Sequence, residues 1–382
     1  MKSIPYGNHY IDKEDISSVV KSLNKSILTR GPLVDKFEQE IAKVVNCKYA
    51  VAVSSCTAGL HIALKALKND KRKQVLTSPI SFVSTANTIL LNDLRPEFVD
   101  IDKDSLNIDL EYLKKNFKNT KNIKAIMPVH LTGLASNSLE IFKFAKKNKI
   151  NVIEDAAHSF GAKYECGAMV GSCKYSDMTV FSFHPVKSIT TLEGGVITTN
   201  SKMIYEKLKI LRSHGVVKKS SDPSWFYDVK DLGLNYRMSD VQSALGISQL
   251  KKLKFFMNKR KEISNLYDSK LNHIHNITIP CFGKRLNSAN HLYVIEVDFK
   301  KIKIRRTDFM NKLNDNGFFT QLHYVPIPLH TIYKKKGYNL DKLPNTRRYY
   351  ERAISLPIFV KLSSKDQNKF INILKKIITI KS

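Results

Sequence analysis

The sequence has few residues of several kinds, and each shortage excludes a class of protein. Only five of the 382 residues are cysteine; the number is odd and no CxxC pair occurs, so a disulfide framework is not expected. No apolar run approaches the length of a membrane span, and the N-terminal residues lack a signal-peptide core. We expect a cytoplasmic protein with free thiols, in which Cys166 and Cys173 form at most a weak metal-binding pair.

Acidic residues are also scarce, with 34 Asp and Glu against 63 Lys and Arg and a formal net charge of +29. The basic runs are scattered, and no zinc-finger spacing, basic zipper or RNA-module signature accompanies them. They occupy residues 251–254, 259–261, 300–306 and 334–336. Nucleic-acid binding is therefore not expected. The charge instead favours attraction of anionic metabolites such as nucleotide sugars.

What the sequence does contain is a regular alternation of strands and helices. The chain is longer than one typical domain, and 42% of its residues are hydrophobic, which is ample for a core. The predicted strands are continuous apolar runs, typical of a mainly parallel sheet that is buried on both faces. They lie at residues 49–54, 74–78, 95–102, 123–130, 150–157, 177–183 and 194–200.

The pattern changes near residue 250. A single long helix is predicted over 241–271, and strand-like segments follow at 291–299 and 318–327, with a helix at 307–316 between them and another helix at the C-terminus. We therefore predict a large α/β domain, residues 1–250, and a smaller α+β domain, residues 251–382, linked by the long helix.

Polar side chains follow three of the buried strands. Ser55 and Thr57 open a helix, Asp155 and His158 follow the run 150–154, and Lys187 follows "FSFHPV". Each group has an ordinary explanation by itself. The Ser55–Thr57 pair and Asp155 could be helix caps, and Lys187 could be a surface lysine. However, the carboxyl ends of parallel strands meet at one edge of a sheet, where ligands bind.

Taken together, these residues supply what pyridoxal phosphate (PLP) requires. Lys187 provides the amine that binds the aldehyde, and Asp155 a carboxylate for the ring nitrogen. The Ser55–Thr57 turn, with Ser182, provides hydroxyl and N–H groups for the phosphate, while Phe82 offers a flat packing surface. Partial burial lowers the pKa of such a lysine and makes it a usable proton carrier near neutral pH.

From residue 27 to the C-terminal helix, the chain resembles the fold-type-I sugar aminotransferases of the DegT–DnrJ–StrS type. The blocks that carry the resemblance are "VSSCTAGLHIALKAL", "SPISFVSTANTI", "VIEDAAHSFGA", "FSFHPVKSITTLEGG", "LRSHG" and "GLNYRMSDVQSALGISQLKKL". The resemblance implies the PLP-dependent transferase fold, with a mainly parallel seven-stranded sheet in the large domain. It also implies a homodimer with shared active sites.

The same resemblance implies a role for each matching residue. Lys187 forms the Schiff-base link and carries protons, Asp155 binds the ring nitrogen, and His158 lies beside the 3-hydroxyl. The remaining cofactor contacts it implies are Ser55, Thr57, Ala58 and Ser182 around the phosphate, Phe82 on the ring, and Asn235 on the cofactor of the neighbouring subunit. The substrate contacts it implies are Tyr6, Thr29, Arg30, Gly31, His184, His214, Arg237, His323 and Tyr324.

Within the family, "FSFHPVK", "NYRMSD", "NHLYVI" and "LHYVPI" are most similar to members of the pseudaminic acid pathway. These aminate C4 of a UDP-linked 2-acetamido-2,6-dideoxy-4-keto hexose, with L-glutamate as donor. The alternatives are a UDP-4-amino-4-deoxy-L-arabinose-type or other nucleotide-sugar aminotransferase, a PLP-dependent sugar dehydratase and a non-catalytic relative. Arg30, Cys56 and Ser188 depart from the family pattern, and we expect none of them to touch the core chemistry.

Overall fold

A seven-stranded sheet lies at the centre of the fold in this computed structural model, which describes residues 3–68 and 70–379. In spatial order its strands are β1 (Tyr49–Val53), β7 (Gly195–Thr199), β6 (Met178–Ser182), β5 (Asn151–Asp155), β4 (Ile123–Met127), β2 (Gln74–Thr77) and β3 (Arg95–Phe98). Strand β7 is antiparallel to both of its neighbours, and the other neighbouring pairs are parallel. The predicted mainly parallel sheet is confirmed.

Both faces of this sheet are covered, as its continuous apolar strands require. In β1, Val51 and Val53 join one hydrophobic cluster, whereas Ala50 and Ala52 join another, because successive residues of a strand point to opposite faces. The helices of this part of the chain are α1 (Lys13–Leu23), α2 (Pro32–Val45), α3 (Cys56–Ala66), α4 (Ser84–Leu90), α5 (Leu110–Asn116), α6 (Ser138–Lys147) and α7 (Lys202–Leu211).

One close backbone contact fixes the start of α3 against the sheet. A β-carbon at Gly195 would lie 2.8 Å from both the Cys56 nitrogen and the Phe181 carbonyl oxygen, so only glycine fits there. The N-terminus of α3 is thereby held beside the end of β6. Sequence positions 55 and 182 consequently meet at one edge of the sheet.

The C-terminal part differs from its prediction in several places. The predicted helix 241–271 is two helices, α8 (Asp240–Leu250) and α9 (Leu253–Leu271). They part beside Lys252, whose ammonium pairs with Asp12, the N-cap of α1, at 2.6 Å and with Asp15 in its first turn at 2.8 Å. These ion pairs with a distant segment override a sequence that by itself favours one continuous helix.

The predicted strand at 318–327 is wrong. It forms only single bridges, Ile4 with Phe318 and Gln321 with Ser355, and then a 3₁₀ turn that Pro326 precedes, since proline cannot donate to a ladder. A strand missed in the sequence, β12 (Ala353–Leu356), pairs instead with β11 (Tyr293–Val297). The remaining elements are β8 (Val216–Val217), β9 (Asp228–Val229), β10 (Ile277–Thr278), α10 (Arg306–Asp315), α11 (Thr331–Lys334), α12 (Pro344–Arg352) and α13 (Ser364–Thr379).

Strands β10, β11 and β12 form a three-stranded antiparallel sheet with its own hydrophobic cluster, which includes Tyr267, Phe309 and Phe370. The domain boundary near residue 250 stays a prediction. All five cysteines are free, as predicted. Of the helices within residues 3–68 and 70–379, none is long and apolar enough to cross a bilayer.

Candidate active site

A cavity of about 450 Å³ opens at the carboxyl edge of the central sheet. Most of the side chains predicted to form one site line it: Tyr6, Ser55, Thr57, Phe82, Asp155, His158, Ser182, His184, Lys187, His323 and Tyr324. They come from the N-terminal segment, from the ends of β5 and β6 and the segments that follow β1, β2, β5 and β6, and from loops of the C-terminal part. Its volume suits a small organic ligand.

Asp155 is the last residue of β5 and one of the few buried acids of the sheet. Its carboxylate accepts a hydrogen bond from the Thr85 hydroxyl at 2.7 Å and a longer one from the Ala157 N–H at 3.2 Å. Burial raises the pKa of Asp155, against the lowering effect of these two bonds and of Lys187. The carboxylate retains acceptor capacity for a further donor.

Lys187 stands in a turn closed by its own N–H, which donates to the His184 carbonyl at 2.9 Å. Burial lowers the pKa of Lys187 to about 8, although Cys56 and Asp155 act in the opposite direction. Its Nζ lies 3.4 Å from Nε2 of His291. An appreciable fraction of the amine is therefore free near neutral pH, as a nucleophilic lysine requires.

Three buried histidines surround this amine. Burial lowers the pKa of His158 and His291 well below the usual value and that of His323 to about 3, so all three rings are neutral at pH 7. Nε2 of His158 lies 3.1 Å from the Tyr324 hydroxyl oxygen. Nδ1 of His158 and Nδ1 of His291 are buried without a partner among the described residues, which leaves both able to bind a polar ligand.

The N-terminus of α3 faces the same cavity. Ser55 is the N-cap, and its hydroxyl accepts the Ala58 N–H at 3.1 Å, so the amide predicted to hold phosphate already has a partner. Thr57 and Ser182 line the cavity beside it. The remaining N–H groups of the first turn and the helix dipole favour an anion here.

These features fit PLP. The start of α3 suits its phosphate, and the under-partnered Asp155 carboxylate suits its ring nitrogen. The unpaired Nδ1 of His158 can meet a ring substituent. Phe82, which is 59% exposed, lines the rim of the cavity and offers an aromatic ring there. The cavity therefore contains a suitable partner for the phosphate, for the ring nitrogen and for the ring of the cofactor.

Sequence reasoning missed three residues of the cavity region. His291 precedes β11, and its polar side chain at the start of a buried strand was a usable signal. Thr85, which orients Asp155, carried no signal. Cys56 was expected not to touch the core chemistry, and this stays a prediction. The thiol lines the cavity close enough to Lys187 and Asp155 for the three groups to affect one another's pKa.

Some predicted residues lie away from the Lys187 cavity. Arg30 and Arg237 line a second cavity of about 430 Å³, and the Gly31 N–H donates to Asp240 at 2.8 Å. His214 and Asn235 are exposed. Thr29 forms a bridge with Ser239. Their roles toward a neighbouring subunit or a nucleotide sugar stay predictions.

Proteins of known structure share this fold. An aminotransferase of Helicobacter pylori involved in pseudaminic acid biosynthesis superposes with a TM-score of 0.92 at 32% identity, over 99% of both chains. A protein of Streptococcus pneumoniae, solved in its PLP form, superposes with a TM-score of 0.90 at 27% identity, over the full length of both. The fold is thus that of the PLP-dependent aminotransferases, as predicted.

The chain belongs to the DegT/DnrJ/EryC1/StrS aminotransferase family, whose model matches residues 9–375. A Campylobacter jejuni relative, UDP-4-amino-4,6-dideoxy-N-acetyl-β-L-altrosamine transaminase, is 38% identical over 379 residues, 98% of each chain. The predicted enzyme class, a PLP-dependent sugar aminotransferase, is confirmed.

Proposed function

We propose that this enzyme transfers the amino group of L-glutamate to C4 of a UDP-linked 2-acetamido-2,6-dideoxy-4-keto hexose, in pseudaminic acid biosynthesis. The observation that carries the proposal is the cavity that joins Lys187, Asp155 and the N-terminus of α3. The names of the Campylobacter and Helicobacter relatives support the choice of sugar.

PLP is the proposed cofactor, and when bound it supplies the electron sink for amino-group transfer. We assign the ring nitrogen to Asp155, the 3-hydroxyl to His158 and the phosphate to Ser55, Thr57 and Ser182. Ala58 contributes through the cap of the same turn, and Phe82 covers the ring. The cavity geometry supports these assignments because it brings every one of these elements to a single edge of the sheet.

Lys187 is the proposed proton carrier. Its pKa of about 8 lies close to neutral pH, where a group that both accepts and releases a proton works best. Asp155 holds a proton at the ring nitrogen by its negative charge. His158 and His291 are neutral, so neither adds a positive charge that would oppose protonation of the amine.

The outer half of the cavity suits a sugar nucleotide. A neighbouring cavity of about 310 Å³ shares Tyr6, Phe82, His323 and Tyr324 with the first and extends it past Gln321 and His330. Aromatic rings with polar tips can pack against a sugar ring and bind its hydroxyls. We assign Tyr6, His184, His323 and Tyr324 to the sugar.

We further propose a homodimer in which residues distant from one Lys187 complete the site of the partner. These residues are Thr29, Arg30, Gly31, His214, Asn235 and Arg237. Arg30 and Arg237 line one basic cavity, which supports an anionic target such as phosphate. The cytoplasmic location and the division into domains 1–250 and 251–382 remain predictions of the same kind.

The test is a panel of ketones. The purified enzyme, supplied with PLP and glutamate, is given the UDP-linked 4-keto hexose and, separately, the UDP-4-keto-arabinose-type ketone, and the products are weighed by mass spectrometry. We expect amination of the hexose, with 2-oxoglutarate formed in equal amount. Amination of the arabinose-type ketone alone would contradict the proposed sugar, and a lack of amination of both ketones would contradict the proposal as a whole.

A further inference from the structure

Arg260 of α9 is a buried cation outside the cavity described above. Its side chain is 1% exposed, and burial lowers its pKa to about 10, so it stays charged at neutral pH. Among the described residues no carboxylate forms an ion pair with it, and its Nε has no hydrogen-bond partner. A buried charge without a counter-ion is costly, so its retention suggests a role beyond packing.

The guanidinium is held entirely by backbone carbonyls. Its Nη2 donates to the Val186 carbonyl at 3.2 Å, and its Nη1 donates to the carbonyls of His291 and Ile358, both at 3.2 Å, with a longer contact to Asn290 at 3.5 Å. These acceptors belong to three separate segments of the chain. A planar guanidinium can bind such a set at once, and a lysine ammonium cannot match its geometry.

Two of these segments carry a residue of the Lys187 cavity, and the third binds the backbone of another such residue. Val186 immediately precedes Lys187, and His291 itself lies 3.4 Å from the Lys187 amine. The Ile358 N–H donates to the Tyr6 carbonyl at 2.9 Å. One cation therefore binds the backbones that carry the amine and the ring facing it, and it reaches the aromatic side chain at the mouth of the cavity through Ile358.

We propose that Arg260 is a positioning residue for Lys187: by binding the Val186 and His291 carbonyls, its guanidinium fixes the amine against the His291 ring. The proposal rests on the proposed function in so far as Lys187 is the reactive amine. Arg260 touches no atom that reacts, and it acts through the two backbone segments.

The charged surroundings of Lys187 give the proposal a second readout. Cys56 of α3 and Asp155 of β5 raise the pKa of this amine, whereas burial and Arg260 lower it, and Lys187 in turn lowers the pKa of His158, His291 and His323. Removal of the Arg260 charge should therefore make the Lys187 amine harder to deprotonate.

The experiment compares the full-length parent, without added cofactor, with Arg260→Met, Arg260→Lys and the control Arg285→Met. Arg285 is another buried arginine, but its Nη2 binds the Pro280 carbonyl at 2.6 Å and its guanidinium packs on the Tyr293 ring, so it serves as the control for the peptide covering 184–191. Amide hydrogen exchange is followed in peptides covering 184–191 and 288–293. Acetylation of Lys187 by acetic anhydride, located by peptide mass spectrometry, gives its pH profile.

Both Arg260 variants should accelerate exchange in the two peptides about tenfold, while Arg285→Met leaves the peptide covering 184–191 near the parent rate. Arg260→Met should also raise the acetylation midpoint, slowing acetylation of Lys187 at pH 7 by about threefold, whereas Arg260→Lys should retain the parent midpoint. Parent-like exchange of both peptides in a folded Arg260 variant would overturn the proposal. If Arg260→Met does not fold, the exchange rates of Arg260→Lys decide whether the proposal stands.

Neither readout requires catalysis. A parent protein that aminates no ketone would refute the proposed function, and yet the exchange and acetylation profiles would still decide the role of Arg260.

Discussion

Two neighbouring carboxylates at the end of β5, Glu154 and Asp155, have opposite surroundings. Glu154 is fully buried and contacts five side chains: Ser138 (2.9 Å), Tyr164 (2.6 Å), Ser176 (3.0 Å), Thr179 (2.8 Å) and His130 (3.2 Å). Burial opposes its ionisation, but the His130 contact and the hydrogen bonds from Tyr164 and Thr179 prevail and lower the pKa of Glu154 to about 2.

Asp155 has far fewer partners. Its carboxylate accepts one hydrogen bond from the Thr85 hydroxyl and a longer one from the Ala157 N–H, and burial raises its pKa. Since adjacent strand residues point to opposite faces, one carboxylate is enclosed by the protein and the other faces the cavity. Glu154, whose hydrogen-bonding capacity is met by the protein, therefore supports the fold, whereas Asp155 keeps acceptor capacity for a ligand.

The largest expected effect follows from neutralising the cavity carboxylate. Asp155→Asn should lower the transamination rate by about two to three orders of magnitude, because a preorganised charge at the reacting group is lost. The apo-protein should be as stable as the parent or slightly more so, since the substitution removes a poorly compensated buried charge. Steady-state kinetics and thermal melting of the same preparation measure the two effects.

If Asp155→Asn lost stability without losing rate, the role assigned to Asp155, as distinct from that of Glu154, would be contradicted. Asp177→Asn is the control, because partial burial raises the pKa of this aspartate too, but the residue lies outside the cavity. Its turnover should remain within about twofold of the parent.

The enclosed carboxylate should show the reverse pattern. Glu154→Ala leaves His130 and the surrounding hydroxyls without their acceptor, so the free energy of unfolding should fall by about 3 kcal/mol. Urea denaturation measures this loss. The activity per folded molecule should change by less than about tenfold, and a larger loss of activity from a folded Glu154→Ala protein would show that the two carboxylates share a catalytic role.

The contribution of Glu154 to the free energy of unfolding should decrease at low pH. The folded-state pKa of Glu154, about 2, is below its ordinary value of 4.5, so its contribution is fully present above pH 4.5. The contribution is lost as the pH falls through 2. The difference in unfolding free energy between the parent and Glu154→Ala should therefore shrink over that window, and a constant difference would contradict the assignment.

Thr85→Val should have a smaller effect. The substitution removes the hydroxyl that donates to Asp155 while keeping the shape of the side chain, so the pKa of Asp155 should rise further. We expect the rate to fall by about tenfold, which corresponds to one ordinary hydrogen bond to a charged group. The pH–rate profile of the variant should shift upward on its acidic limb, and Thr85→Ser should restore it.

Much of the fold and part of the site could be predicted because the relevant signals are local. Continuous apolar runs indicated the buried strands, and their shared carboxyl edge placed Asp155 near Lys187. The missed contacts join residues far apart in the chain. Thr85 lies 70 positions from Asp155 and His291 lies 104 from Lys187, and the helix break beside Lys252 depends on acids in α1.

The most direct test of this account is covalent trapping of the cofactor. The protein is mixed with one equivalent of PLP, reduced with borohydride, digested and analysed by mass spectrometry, with Lys187→Met as the control. The account predicts one modification per chain, on the peptide that contains Lys187, and none in the variant. Failure of the parent to take up PLP, or its attachment to another lysine, would contradict it.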